Sequence, residues 1–214
     1  MKIEVFSDIA CPWCYIGERR LFKALKHSGL EAEVRWMPFQ LQPGLPPEGR
    51  PWEEFMAQKF GGTHQMEMAF AQTARAGAPE GIEFRFDRVA RAINTVDPHR
   101  LILWAGRESG QEQQWALASA LFKAHFVDGK NLNDPADLLG VAASVGLEAE
   151  QVGQFLESGD LRAEVEQSQQ LAGGFGVQGV PFFIFNRKYA LSGAQPLEVF
   201  VQVLEQVSRE GVQV

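Results

Sequence analysis

Along the first forty residues the apolar positions change their period twice. Ile3, Val5 and Phe6 make a short β-branched and aromatic run that predicts a buried strand. From Pro12 to about residue 27, Ile16, Leu21, Phe22 and Leu25 recur at helical spacing, and Gly29 supplies a stop. Residues 33–39 alternate again, with Val34, Trp36 and Pro38 marking a second strand. Strand, helix and strand in this order predict a parallel pair joined by a crossover helix.

Residues 40–51 carry Pro43, Gly44, Pro46, Pro47, Gly49 and Pro51, a composition expected to continue neither strand nor helix and to mark a boundary. Helical periodicity then dominates to about residue 174, with segments expected at 52–60, 65–76, 98–107, 112–126, 135–145, 148–157 and 160–171. Asp97-Pro98 and Asp134-Pro135 read as helix starts, and Gly146 and Gly159 as stops. Strand chemistry returns at 180–185, turns at Asn186-Arg187-Lys188 and runs back over 189–192. Pro196 then opens a last helix with Leu197, Phe200, Val201 and Leu204 on one face. The prediction is an α/β fold whose sheet-bearing core, residues 1–45 and 175–214, is split by an all-helical insertion, residues 46–174.

With 214 residues, 45% of them apolar, the chain buries a sizeable core. A net charge of −7 with scattered Lys and Arg argues against nucleic acid and anionic membrane, leaving proteins and small molecules as partners. No segment approaches the roughly 18 consecutive apolar residues of a membrane span. Met1-Lys2-Ile3 enters a strand without a leader pattern, so a complete chain is expected in the cytoplasm. Two cysteines in that compartment read as reactive rather than as a permanent staple.

Those cysteines form Cys11-Pro12-Trp13-Cys14 between the first strand and the first helix. Three residues apart on a first turn, the sulfurs share one face within bonding distance. Cys11 is expected exposed at the helix N-terminus, where unpaired N–H groups and the dipole favour a thiolate. Cys14, one turn in, is expected to be more buried and to resolve the mixed disulfide. Pro12 suits the first helical position, which needs no N–H. A zinc site requires two further ligands, and His27, His64, His99 and His125 lack the paired spacings of one, so no metal is expected. Val180-Pro181 reads either as an edge-strand proline or as a cis peptide bond holding the Val180 backbone beside Cys11, where an incoming peptide pairs along it.

Ser7-Asp8, the run Cys11 to Gly17, Asn94-Thr95, His99-Arg100-Leu101 and the run Gly176 to Phe183 together resemble the FrnE-like branch of the DsbA disulfide oxidoreductase family. The resemblance implies a thioredoxin fold with a helical insertion, a nucleophilic Cys11 and a cis-proline loop at Val180-Pro181. It also brings in relatives that act as glutathione-dependent isomerases or transferases, which carry serine where this chain has Cys11. Trp13 stands where the periplasmic oxidases have histidine, which implies a less oxidising protein. The second, C-terminal cysteine pair of some FrnE-like proteins is missing from this sequence.

Weaker candidates surround this motif. Asn94, His99 and Arg100 either line a cleft facing Cys11 or form a helix start in which Asp97 caps and His99 is solvated. Trp13, Phe39, Phe182 and Phe183 are candidates for an apolar rim, though such aromatics are usually core. Glu4, Asp8 and Glu18 are candidate proton relays near Cys14, against a default reading as surface carboxylates. Three functions follow. The leading one is disulfide exchange with protein or small thiols, which requires no cofactor and takes glutathione as a candidate thiol donor. The others are a glutathione-using isomerase of an aromatic or polyketide-like molecule, and a holdase without turnover.

Overall fold

A computed structural model describes residues 1–211. β1 (Lys2–Ser7), α1 (Pro12–Ser28) and β2 (Glu33–Pro38) form the expected crossover unit, with β1 and β2 parallel and Ile3 opposite Val34, Val5 opposite Trp36. A two-residue β3 (Arg50–Pro51) leads into α2 (Trp52–Phe60) and α3 (Thr63–Gly77), and β4 (Arg91–Ala92) returns to pair with β3. The proline-rich run is therefore not free of strand. Its short ladder has its partner forty residues on, where local composition gives no sign of it.

Next come α4 (Val96–Phe126), α5 (Pro135–Ser144), α6 (Ala149–Ser158) and α7 (Arg162–Gly174). β5 (Phe182–Phe185), β6 (Tyr189–Ser192) and α8 (Leu197–Gly211) close the core. The main sheet has the order β2-β1-β5-β6, with β5 antiparallel to both neighbours. Alternation sorts its faces: Phe183 packs edge-on against Phe200 of α8, at 4.9 Å between centroids, while Phe6 and Ile184 pack with Ala172 of α7 and Val177.

The segments expected at 98–107 and 112–126 are two helical stretches that meet within α4 at a kink, where the Gly110 backbone (φ 85°, ψ 179°) is not helical. That left-handed backbone favours glycine and explains the break in the periodicity. Beyond the bend α4 runs antiparallel along α1. Phe122 stacks on Tyr15 and Trp115 meets Phe22 edge-on, each at 5.2 Å. The same stretch covers the outer edge of β2. Val34 N–H donates to Gln111 Oε1 (2.6 Å), Trp36 N–H to Gln114 Oε1 (3.2 Å), and Trp115 Nε1–H donates to the Val34 carbonyl (2.8 Å). Backbone groups that would otherwise pair with a foreign strand are thus satisfied by side chains. Among the described residues no helix is long and apolar enough to cross a membrane.

Candidate active site

Cys11 is the N-cap of α1, in extended conformation, with Pro12 at the first helical position. Its N–H donates to the Asp8 carbonyl (2.9 Å), and its carbonyl accepts from Cys14 N–H (3.0 Å). Its Sγ lies 3.6 Å from the Val180 carbonyl oxygen, within reach of a thiol hydrogen bond. The Val180–Pro181 bond is cis. Both cysteines carry free thiols. Cys11, expected exposed, is only 5% so, because the Val180–Pro181 loop lies against it; Cys14 is still more enclosed, at 1%.

Cys14 Sγ accepts from the Asp8 N–H at 3.5 Å. Burial, and after it the neighbouring Cys11 sulfur, push the Cys14 thiol well above its ordinary value; the Ser7 hydroxyl and the Asp8 amide act weakly the other way. Asp8 is the frame of this turn and is itself 1% exposed. Its Oδ1 accepts from Ala10 N–H (3.2 Å) and its Oδ2 from Leu41 N–H (2.7 Å), and His99 Nε2 stands 3.4 Å from Oδ1. His99 is wholly enclosed. The Trp36 indole can only donate, and it reaches His99 Nδ1 at 3.1 Å, so Nε2 carries the proton toward Asp8 and the Phe39 carbonyl (3.2 Å). The three carboxylates expected at the surface are all buried: Glu4 and Glu18 are 7% and 4% exposed.

A protein-family model described as a DSBA-like thioredoxin domain matches residues 2–205. The chain belongs to the DSBA-like thioredoxin domain family. It is 35% identical to a probable DsbA oxidoreductase from Streptomyces coelicolor, whose crystal structure superposes with a TM-score of 0.88 over 98% of this chain and 91% of that one. YwbO, an uncharacterized protein of Bacillus subtilis (strain 168), is 28% identical over 160 residues, 74% of this chain and 72% of its own. The cytosolic disulfide reductase DsbM of Pseudomonas aeruginosa, solved with GSH, shares the fold at 23% identity and a TM-score of 0.67, covering 98% of this chain and 100% of that one.

In this DSBA-like chain the remaining candidates separate. Arg100, 1% exposed, is spread over the end of α6. Its Nε donates to the Asp160 carbonyl (2.5 Å), its Nη2 to that of Phe155 (3.1 Å), and its Nη1 to that of Leu156 (3.3 Å) and to Asp97 Oδ1 (2.7 Å). The Phe155 and Leu156 carbonyls are orphan acceptors of the α6 C-terminus and that of Asp160 lies just past it, and Arg100 serves them rather than the cysteines. Asn94 ties the Leu45 carbonyl (2.6 Å) to the start of α4. Thr95, not Asp97, is the N-cap of α4, and His99 is buried, not solvated, because Trp36 and Asp8 together complete its hydrogen bonds. Of the aromatic rim, Trp13, Phe39 and Phe182 are half-buried, while Phe183 is core beneath α8.

Gly17 lies within the run Cys11 to Gly17, and nothing in its sequence context marks it as part of the site. A Cβ there would stand 2.9 Å from Pro181 Cγ, so α1 approaches the proline loop as closely as a glycine permits. Among the described residues no group of three or more His, Cys, Asp and Glu side chains is gathered to hold a metal ion.

Proposed function

We propose that this protein is a thiol–disulfide oxidoreductase of the FrnE-like branch, working as a reductase or isomerase in the cytoplasm on disulfide-bearing proteins or small thiols. The Cys11 thiolate attacks a substrate disulfide, expels one sulfur as thiolate and keeps the other in a mixed disulfide. Cys14 then attacks the Cys11 sulfur, closing the Cys11–Cys14 disulfide and releasing the second substrate sulfur as thiolate. The observation that carries this reading is the ordering of the sulfurs: Cys11 Sγ faces the Val180 carbonyl at 3.6 Å, whereas Cys14 Sγ lies behind it under the Asp8 amide.

Val180 and Pro181 are assigned to substrate binding, with Pro12 and Trp13 in support, and the half-buried Phe39 and Phe182 supply apolar contact for a peptide. The resemblance to proteins with histidine in place of Trp13 supports the reducing direction, since no imidazolium stands there to favour the reduced pair. Glutathione, present with DsbM, is the proposed thiol donor, and no bound cofactor is required. Insulin reduction and scrambled-ribonuclease refolding, each with and without glutathione, test the assignment. Activity in both that is abolished by Cys11→Ser supports it. A Cys11→Ser protein with wild-type turnover would sink it.

A further inference from the structure

The loop that carries Val180 and Pro181 is held from two sides. In front, Val180 presents its carbonyl to Cys11 Sγ at 3.6 Å, and Pro181 lies against Gly17 of α1. Behind, the Pro181 carbonyl accepts from Gly193 N–H at 2.8 Å, so its position follows that of the turn between β6 and α8. One side chain grips that turn. Arg20 stands about one turn past Gly17 on the same face of α1, and its Nη1 donates to the carbonyls of both Ala194 (2.6 Å) and Gln195 (3.2 Å). Its other edge faces the helical segment. Nε donates to Oε1 of Glu80 (2.8 Å), in the single helical turn Ala78–Glu80 after α3, and Nη2 to the Ala76 carbonyl (3.4 Å) near the end of α3.

A planar guanidinium fixed along one edge has little freedom left along the other. Glu80 does the fixing. Its second oxygen is taken by Lys23 Nζ (2.7 Å), and the side chains of Arg20 and Glu80 are only 14% and 8% exposed. Burial pushes the Glu80 carboxyl up, but hydrogen bonds from Lys23 and Arg20 outweigh it and hold the group below its ordinary value, so it is a carboxylate at neutral pH. As a tether between α1 and the helical segment Arg20 would be redundant, since Lys23 already holds Glu80 and Tyr15 already stacks on Phe122 of α4. Its bonds to the Ala194 and Gln195 carbonyls are what Lys23 does not duplicate.

We propose that Arg20, oriented by Glu80, is a positioning residue that selects extended peptide disulfides: by fixing the 193–195 turn it sets the Val180 backbone at the distance from Cys11 where an incoming strand pairs. The inference rests on the disulfide exchange and the peptide binding at Val180 proposed above. Control runs from Glu80 to Arg20, on to the Ala194 and Gln195 carbonyls, and through Gly193 to Pro181. A small disulfide without backbone amides has nothing to pair with Val180, so its attack by Cys11 does not depend on this chain of contacts.

Reduced protein is mixed, in separate stopped-flow runs, with a quenched-fluorophore peptide disulfide and with a small aromatic disulfide that releases a coloured thiolate. The ratio of the two second-order rate constants is the readout. Arg20→Lys keeps the charge opposite Glu80 but loses the fork, and the ratio of peptide to small-disulfide rate should fall about tenfold. Glu80→Gln leaves the turn carbonyls within reach of Arg20 but loosens its other edge, and the ratio should fall about threefold. In both variants, with folding checked by near-ultraviolet circular dichroism, the Gly193 amide should exchange with deuterium faster. Lysine would restore a tether, so an unchanged ratio in folded Arg20→Lys overturns the proposal, as do equal losses on both disulfides or an unmoved Gly193 exchange rate. If Arg20→Lys does not fold, Glu80→Gln decides alone, and a wild-type ratio there is fatal. A wild-type protein whose Cys11 attacks neither disulfide would instead strike the disulfide-exchange reading itself.

Discussion

Gly17 and Pro181 are in direct apposition: a methyl group at Gly17 would come within 2.9 Å of Pro181 Cγ and 3.1 Å of Phe183 Cζ. Alanine gains up to about 1 kcal/mol of helix propensity over glycine, but overpacking costs about 1–3 kcal/mol. Gly17→Ala should therefore lower the urea midpoint and, by pushing the proline loop from Cys11, slow insulin reduction more than the lost stability explains. A variant as stable and active as the wild type would show that the loop yields freely.

Asp8 holds two backbone amides and faces His99, and Cys14 Sγ receives the Asp8 amide. Asparagine keeps one acceptor oxygen and turns an NH₂ toward donors, leaving one buried amide unpaired at about 1–3 kcal/mol. Asp8→Asn should lose that much in denaturant unfolding, and its Cys14 should alkylate faster as the turn loosens. Unchanged alkylation would confine Asp8 to stability alone.

Arg100 tests where the active site ends. Lysine cannot reach three carbonyls and a carboxylate at once, so Arg100→Lys should destabilise by about 3 kcal/mol. The initial rate of Cys11 alkylation in the folded fraction should not change. A selective fall in Cys11 reactivity would return Arg100 to the cleft.

Two buried groups pull the pH dependence of stability in opposite directions. Burial lowers His125 from 6.5 to about 4, so between those values the unfolded chain binds more protons and stability rises with pH. Burial raises Glu18 from 4.5 to about 7, so there the folded chain holds the extra proton and stability falls as pH rises. Each contributes about 3 kcal/mol, on the order of 1.4 per pH unit. Relative to the wild type, Glu18→Gln should gain stability on going from pH 4.5 to 7, and His125→Gln should lose it. Parallel curves for all three proteins, followed by chemical denaturation, would refute both assignments.

Much of this was legible in the sequence because it is local. The crossover unit, the hairpin at Asn186 and the placement of Cys11 and Cys14 follow from period, turn residues and three-residue spacing. Burial of polar groups was not legible. His99 is buried because Trp36, 63 positions away, donates to it, and Glu18 because Ser119, 101 positions away, covers it. Polar side chains read as surface until their distant partners are known. The division of α4 into two helices was legible too, because Gly110, whose backbone is not helical, interrupts the apolar rhythm where the two stretches meet.

The glutamine and tryptophan contacts along β2 make the helical segment something other than a detachable appendage. Excising residues 46–174 would remove Gln111, Gln114 and Trp115 together with Gln169, which receives the Gln40 amide at 2.7 Å. The shortened chain would keep both cysteines and the proline loop yet present a bare strand margin, a template for stacking copies side by side. It should elute as oligomers in size-exclusion chromatography, so on the β2 side the sheet of this protein ends where it does because a distant stretch of its own chain occupies the next place.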